Sequence, residues 1–118
     1  MRETWDDLWS KRQTLDIEEV ITYDSIYHLL KRLVELPQGE HLNILEVGCG
    51  SGIYTLSLLR ESQNPSSTAV LIDYSAVALK FARKNAESNR MEANIVLADA
   101  FKLPFPDNSF DIVWNGGV

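Results

Sequence analysis

The stretch "EVGCGSG", Glu46 to Gly52, limits the fold of this chain more than any other, because it sets three glycines at alternate positions directly after the apolar run Asn43-Ile44-Leu45. Glycine enters left-handed backbone without steric cost and lets another group touch the main chain. A turn of this kind leaves a strand and enters a helix, whose amino end presents N–H groups unpaired within the helix. The chain beyond it repeats that plan: short β-branched or aliphatic runs alternate with helical stretches, the pattern of βα units in a mostly parallel sheet. Four strands are expected, at residues 43–47, 69–73, 94–98 and 110–115, each nearly all apolar as suits strands buried on both faces. Between the first two lies a helix over about 52–60 carrying Ile53, Leu56 and Leu59, then the polar loop 62–67. A second helix starts after Ser75, a capping residue, with Leu79, Ala82 and Ala86 on one face. The expected architecture is α/β, a doubly wound sheet with strand order 3-2-1-4, which leaves the fourth strand at an edge.

Residues 1–41 read as an amino-terminal helical segment packing on the sheet, and 42–118 as the βα portion. Trp5, Leu8 and Trp9 fall at i, i+3 and i+4 after Thr4, as in a short amphipathic helix. A longer helix is expected from about Asp24 to Leu36, ended by Pro37 and Gly39, with Ile26, Leu29, Leu30, Leu33 and Val34 as its core-facing stripe. The 118 residues suit one domain, and a net charge of −6 argues against a nucleic-acid partner. No apolar run approaches membrane-spanning length and the amino terminus lacks a signal core, so the protein is expected to be cytoplasmic, with no membrane partner. Cys49 is the only cysteine, and His28 and His41 lie in different segments, so neither a disulfide nor a metal site is expected.

Three kinds of glycine-rich turn compete for Glu46 to Gly52. A phosphate loop needs Lys and Ser or Thr after its last glycine, but Ile53 and Tyr54 follow Gly52. A dinucleotide loop needs glycine or alanine at the sixth position; counting from Gly48 reaches Ile53, and from Gly50 reaches Thr55. What remains is a turn led by Glu46, which repels a pyrophosphate and suits a ligand with a cationic end. Two further acids stand at successive strand ends. Asp73 is placed to accept the two hydroxyls of a ribose, and Asp99 to accept an amine proton of a purine ring, with Ala100 and Phe101 in apolar contact. Each acid alone reads equally well as a turn or cap residue; their recurrence at three strand ends favours a site.

From Asn43 to Val118 the chain resembles the class I S-adenosylmethionine-dependent methyltransferases, whose fold is Rossmann-like. "ILEVGCGSGIYTLSLL" is similar to their glycine-rich first motif, "VLIDYS" to the second acidic motif, and "ADAFKLPFPDNSFDIVW" to the third motif and fourth strand of small-molecule enzymes, including those that methylate quinone precursors. The resemblance implies that Gly48, Gly50 and Gly52 border the methionine part of S-adenosylmethionine and that Glu46 holds its amino end. It implies ribose binding by Asp73, packing of Tyr74 beside the adenine, and reading of the amine edge by Asp99 and Ala100. Cys49 occupies a variable motif position as small filler beside the ligand. Asn115 is counted with the cofactor-binding residues; it stands where the family's amino-methylating nucleic-acid enzymes carry Asn or Asp before two prolines, and Gly116 and Gly117 replace those prolines and disfavour that subclass.

The implied chemistry is in-line methyl transfer to a small-molecule acceptor. No catalytic base is evident: Asp107 falls in a turn and Asp111 in a strand, where structural roles are expected. A non-catalytic nucleotide-binding module and a NAD-dependent oxidoreductase stay open as other readings. The family's fold continues with further strands. The 118 residues are therefore expected to be an amino-terminal portion, or to have the exposed fourth strand covered by a second copy or a partner chain.

Overall fold

The computed structural model describes residues 13–35, 39–103, 105–106 and 109–115. Trp5, Leu8, Trp9, Pro37, Asp107, Gly116 and Gly117 lie outside them, and so do the expectations placed there. In chain order the elements are α1 (Ile17–Tyr23), α2 (Ser25–Val34), β1 (Asn43–Val47), α3 (Ile53–Ser62), β2 (Thr68–Asp73), α4 (Ala76–Ser88), β3 (Asn94–Leu97) and β4 (Ile112–Asn115). The strands form one sheet in the order β3-β2-β1-β4, and every pairing is parallel. The expected order is thus the observed one. The chain moves outward from β1 to β3 and then crosses to the other side of β1, which creates a switch point between β1 and β4 at the strands' carboxyl ends.

The period-two alternation along β1 divides its side chains between two apolar layers. Ile44 joins Leu56, Leu58, Leu71, Leu79, Ala82 and Ala86 in the layer shared with α3 and α4. Leu45 joins Val70 and Ile72 on the opposite face, where Phe105 and Phe110 pack edge to face with their ring centres 5.2 Å apart. Burial on both faces holds for β1 and β2 but fails for β3 and β4, where no described position is fully buried. The sequence does not distinguish these cases, because strand position in a sheet is not a local property. The fourth strand also begins at Ile112 and not at Phe110, whose ring is drawn to the second face. Just ahead of it, Asp111 brackets the start of β1: its N–H donates to Asn43 O (2.9 Å) and its Oδ2 accepts from Asn43 N (2.8 Å).

The stripe expected on α2 is core-facing only in part. Ile26, Leu29 and Leu33 are exposed, and the face turned inward carries buried Tyr27 with half-buried Leu30 and Val34. The reason lies at Asp24, which ends α1 and caps α2. Its Oδ1 accepts from Tyr27 N (3.0 Å) and its Oδ2 from the Tyr54 hydroxyl of α3 (2.9 Å), so the cap sets the rotation of α2. Tyr27 then reaches Glu61 Oε1 at 2.7 Å, and Lys31 reaches Glu61 Oε2 at 2.8 Å. Burial works against the Glu61 carboxylate, but the Lys31 and Tyr27 hydrogen bonds and the Lys31 charge hold its pKa below the ordinary value. Polar anchoring has overridden the apolar pattern.

The segment before α1 is tied to α4 by two asparagines one helical turn apart. Asn85 Oδ1 accepts from Leu15 N (2.7 Å); Asn89 Oδ1 accepts from Ile17 N (2.9 Å) and its Nδ2 donates to Leu15 O (2.9 Å). The two side chains act as a strand edge would, meeting backbone groups that no sheet partner satisfies. Asn85 is fully buried and its Nδ2 also donates to Ser51 O in the glycine-rich turn (3.1 Å), so one amide joins the segment to the turn. Asn85→Ala leaves Leu15 N and Ser51 O without these partners and should cost about 1–3 kcal/mol of stability by urea denaturation, whereas exposed Lys84→Ala should cost under about 0.5 kcal/mol.

Candidate functional site

The turn from β1 to α3 is shaped by backbone that side chains rarely adopt. Gly48, Gly50 and Gly52 have φ of +68°, +52° and +68°. At Gly52 a second constraint applies, since an added Cβ would lie 2.7 Å from Leu71 Cδ1. The turn is held to the next strand by Cys49 N donating to Ile72 O at 2.9 Å, and it closes on itself where Gly52 N donates to Cys49 O, also at 2.9 Å. Cys49 is buried, and burial, with the Glu46 and Asp73 charges, pushes its thiol pKa far upward. A thiol so disfavoured from ionising is packing, not a nucleophile.

Glu46 projects from the middle of the sheet and is 4% exposed. Its register partner on β4 is Trp114. Thr55 of α3 donates to Glu46 Oε1 at 2.7 Å and accepts from Trp114 Nε1 at 2.9 Å. Burial raises the Glu46 pKa to about 8; the Thr55 hydrogen bond opposes the shift and the Asp73 charge adds to it. Among the described residues no cation pairs with Glu46. A buried carboxylate with one hydroxyl partner is costly, and a cation from outside the chain would lower that cost.

Asp73 ends β2 with both oxygens engaged by backbone. Oδ2 accepts from Gly50 N and Oδ1 from Ser75 N, each at 2.9 Å. The carboxylate thus ties the glycine-rich turn to the α4 cap, where the Ser75 hydroxyl accepts from Ala78 N as expected. Each oxygen keeps a second lone pair for a ligand hydroxyl. Tyr74 follows, 81% exposed. Asp99 lies two residues past β3, not at its last residue; its Oδ1 accepts from Phe101 N (2.9 Å) and it shapes a tight turn. Ala100 is exposed and Phe101 is 94% exposed. Asn115 is the last residue of β4, paired in register with Val47 beside the turn. The fold therefore brings Glu46, Gly48, Cys49, Gly50, Gly52, Asp73 and Asn115 to the carboxyl ends of three adjacent strands, β2, β1 and β4, with Asp99, Ala100 and Phe101 on the loop leaving β3.

Three participants escaped the sequence reading: Thr55, Trp114 and Asn85. Thr55 had a signal, being a polar residue on the buried side of α3 between Ile53 and Leu56. Trp114 and Asn85 had none, because their partners are 59 and 34 residues away. Among the described residues no cluster of His, Cys, Asp and Glu is fit to hold a metal ion, and no helix is long and apolar enough to cross a membrane.

Known proteins define the class. A family model described as a methyltransferase domain matches residues 44–118, and the chain belongs to that family. It is 37% identical over 102 residues to the ubiquinone/menaquinone biosynthesis C-methyltransferase UbiE of Stutzerimonas stutzeri, covering 83% of this chain and 40% of that protein. The fold superposes on a SAM-dependent methyltransferase of Aquifex aeolicus with a TM-score of 0.70 at 18% identity, covering 96% of this chain and 57% of that one. It also superposes on the [4+2]-cyclase SpnF, with a TM-score of 0.65 at 29% identity, covering 77% and 33%. The chain spans less than half the length of the curated relatives it matches. The resemblance to class I S-adenosylmethionine-dependent methyltransferases thus holds for both family and fold.

The Glu46 shift carries a sign for stability. The folded chain binds this proton more tightly than the unfolded chain does, so stability falls as pH rises from the ordinary glutamate value near 4.5 to about 8. Glu46→Gln, which cannot ionise, should lose this pH dependence and exceed the wild type by a few kcal/mol at alkaline pH, measured by chemical denaturation across a pH series.

Proposed function

We propose that this chain is the cofactor-binding portion of an S-adenosylmethionine-dependent methyltransferase that acts on a small-molecule acceptor. The observation that carries the reading is buried Glu46, lacking a described cationic partner, beside a glycine turn and next to a second carboxylate, Asp73. A ligand with an ammonium end and a ribose fits this donor set; a dinucleotide pyrophosphate does not. In this reading Glu46 receives the ammonium group, and the main chain at Gly48, Cys49, Gly50 and Gly52 borders the methionine part. Asp73 accepts from the ribose hydroxyls, and Tyr74, Asp99, Ala100 and Phe101 surround the adenine. When bound, the cofactor supplies a methyl group on a sulfonium, already activated for displacement.

The chain's own contribution is to bind, orient and exclude water. Asp73 does two things with one carboxylate, holding Gly50 N while meeting the ribose, so a ligand finds the turn already shaped. Asn115, at the end of β4 and paired in register with Val47 beside the turn, is counted with the same cofactor-binding set. The likeness to UbiE supports an acceptor of the quinone-precursor kind. Among the described residues no strand lies beyond β4, and that open edge supports pairing with a further strand, of a longer protein or of a partner chain. The likeness to SpnF, a protein named for a cyclisation, supports a second reading in which the same residues hold the ligand and no methyl group is passed on.

The test is a pair of binding measurements. S-adenosylhomocysteine should raise the melting temperature of the chain and NAD should not, because only a ligand of the native state stabilises it by mass action. Asp73→Ala should then weaken S-adenosylhomocysteine binding by roughly 10- to 100-fold in calorimetry, from lost charge-assisted hydrogen bonds and a loosened turn. Equal stabilisation by both ligands, or an unchanged dissociation constant for the variant, would sink the assignment.

A further inference from the structure

Thr55 stands between two side chains whose chemistry decides where its proton points. The Trp114 indole has one N–H and no acceptor, so across 2.9 Å to Thr55 Oγ1 it can only donate. The Thr55 oxygen accepts there, and its single proton is left for Glu46 Oε1 at 2.7 Å. Thr55 is fully buried and Glu46 nearly so, so bulk water does not compete for either bond. The three residues come from three elements: Glu46 from β1, Thr55 from α3 and Trp114 from β4. An aromatic column extends the support, with Trp114 against Tyr54 (ring centres 6.5 Å apart) and Tyr54 stacked on Tyr27 (6.2 Å).

A hydroxyl that donates to Oε1 favours the carboxylate over the carboxylic acid and leaves Oε2 for a ligand. We propose that Thr55 and Trp114 are positioning residues for the ammonium end of the cofactor, acting through Glu46 by aiming its carboxylate and favouring the charged form that receives a cation. This rests on the cofactor reading above and deepens it, since it makes β4 a participant in cofactor binding through its middle as well as its end. The other ionisable groups close enough to act on Glu46 among the described residues are Asp73 at the end of β2 and the Cys49 thiol in the turn, and neither supplies a positive charge.

Thr55→Val keeps the shape of the side chain and removes the hydroxyl. Calorimetry compares two ligands from mildly acidic to mildly alkaline pH: S-adenosylhomocysteine, which carries the ammonium group, and 5′-methylthioadenosine, which lacks the amino-acid end. Near neutral pH the variant should bind S-adenosylhomocysteine about tenfold more weakly, the rise of affinity with pH should move to higher pH, and 5′-methylthioadenosine binding should not change. Thr55→Ser should restore the wild-type profile. Trp114→Phe, which frees the Thr55 hydroxyl to turn away, should show a smaller loss in the same direction. Wild-type affinity and pH profile in the valine variant overturn the proposal; equal losses for both ligands overturn it too, because they mark a merely structural role. If the valine variant does not fold, Trp114→Phe decides on the same criteria. Wild-type protein that binds neither ligand defeats the cofactor reading itself, and the inference with it.

Discussion

β1 is hydrogen-bonded on both sides, to β2 and to β4, and most of what positions the site follows from that double pairing. A strand with parallel neighbours on each edge has its backbone satisfied along its length and both faces available for packing. Ile44 and Leu45 use those faces for two apolar layers. Glu46 occupies the next inward position, where an aliphatic side chain would serve the core better. The chain reaches β2 from one side of this strand and β4 from the other, and the loops between them diverge, leaving open the place where the glycine-rich turn meets solvent.

Within that frame the polar contacts form a connected set. Asp73 holds the turn at Gly50, Asn85 holds it at Ser51, and Thr55 and Trp114 hold the acid that leads into it. Each anchor comes from a different element. Backbone with positive φ at Gly48, Gly50 and Gly52 is entropically costly to order. Anchoring from several elements places that cost in the folding of the domain as a whole, so a ligand need not meet it on binding. The same contacts make the site sensitive to changes in α4 or β4 that touch no ligand.

The exposed apolar side chains Ile26, Leu29 and Leu33 on α2 show how a strong sequence pattern can mislead. Helical periodicity identifies the helix but not its rotation, and here two hydrogen bonds to Asp24, with Tyr27 and Lys31 converging on Glu61, decide which side turns inward. Tyr27 is fully buried because its ring stacks on Tyr54 and its hydroxyl has a partner. Those pairings are contacts between distant residues, and nothing in a local window encodes them.

The sequence by itself determined the short strands alternating with helices, the glycine turn, the Ser75 cap and the acids at or just past the strands' carboxyl ends. These depend on properties of single residues and their near neighbours: the φ tolerance of glycine, the hydrogen-bonding reach of a serine, and the apolar runs that a buried parallel strand requires. Only the tertiary structure decided that Glu46 is buried, with its pKa pushed up to about 8, that Asp73 is shared between the turn and the α4 cap, and that Thr55 accepts from Trp114 and donates to Glu46. Burial, desolvation and the direction of a hydrogen bond belong to the space between elements, and they come into being when β4 crosses over to lie beside β1.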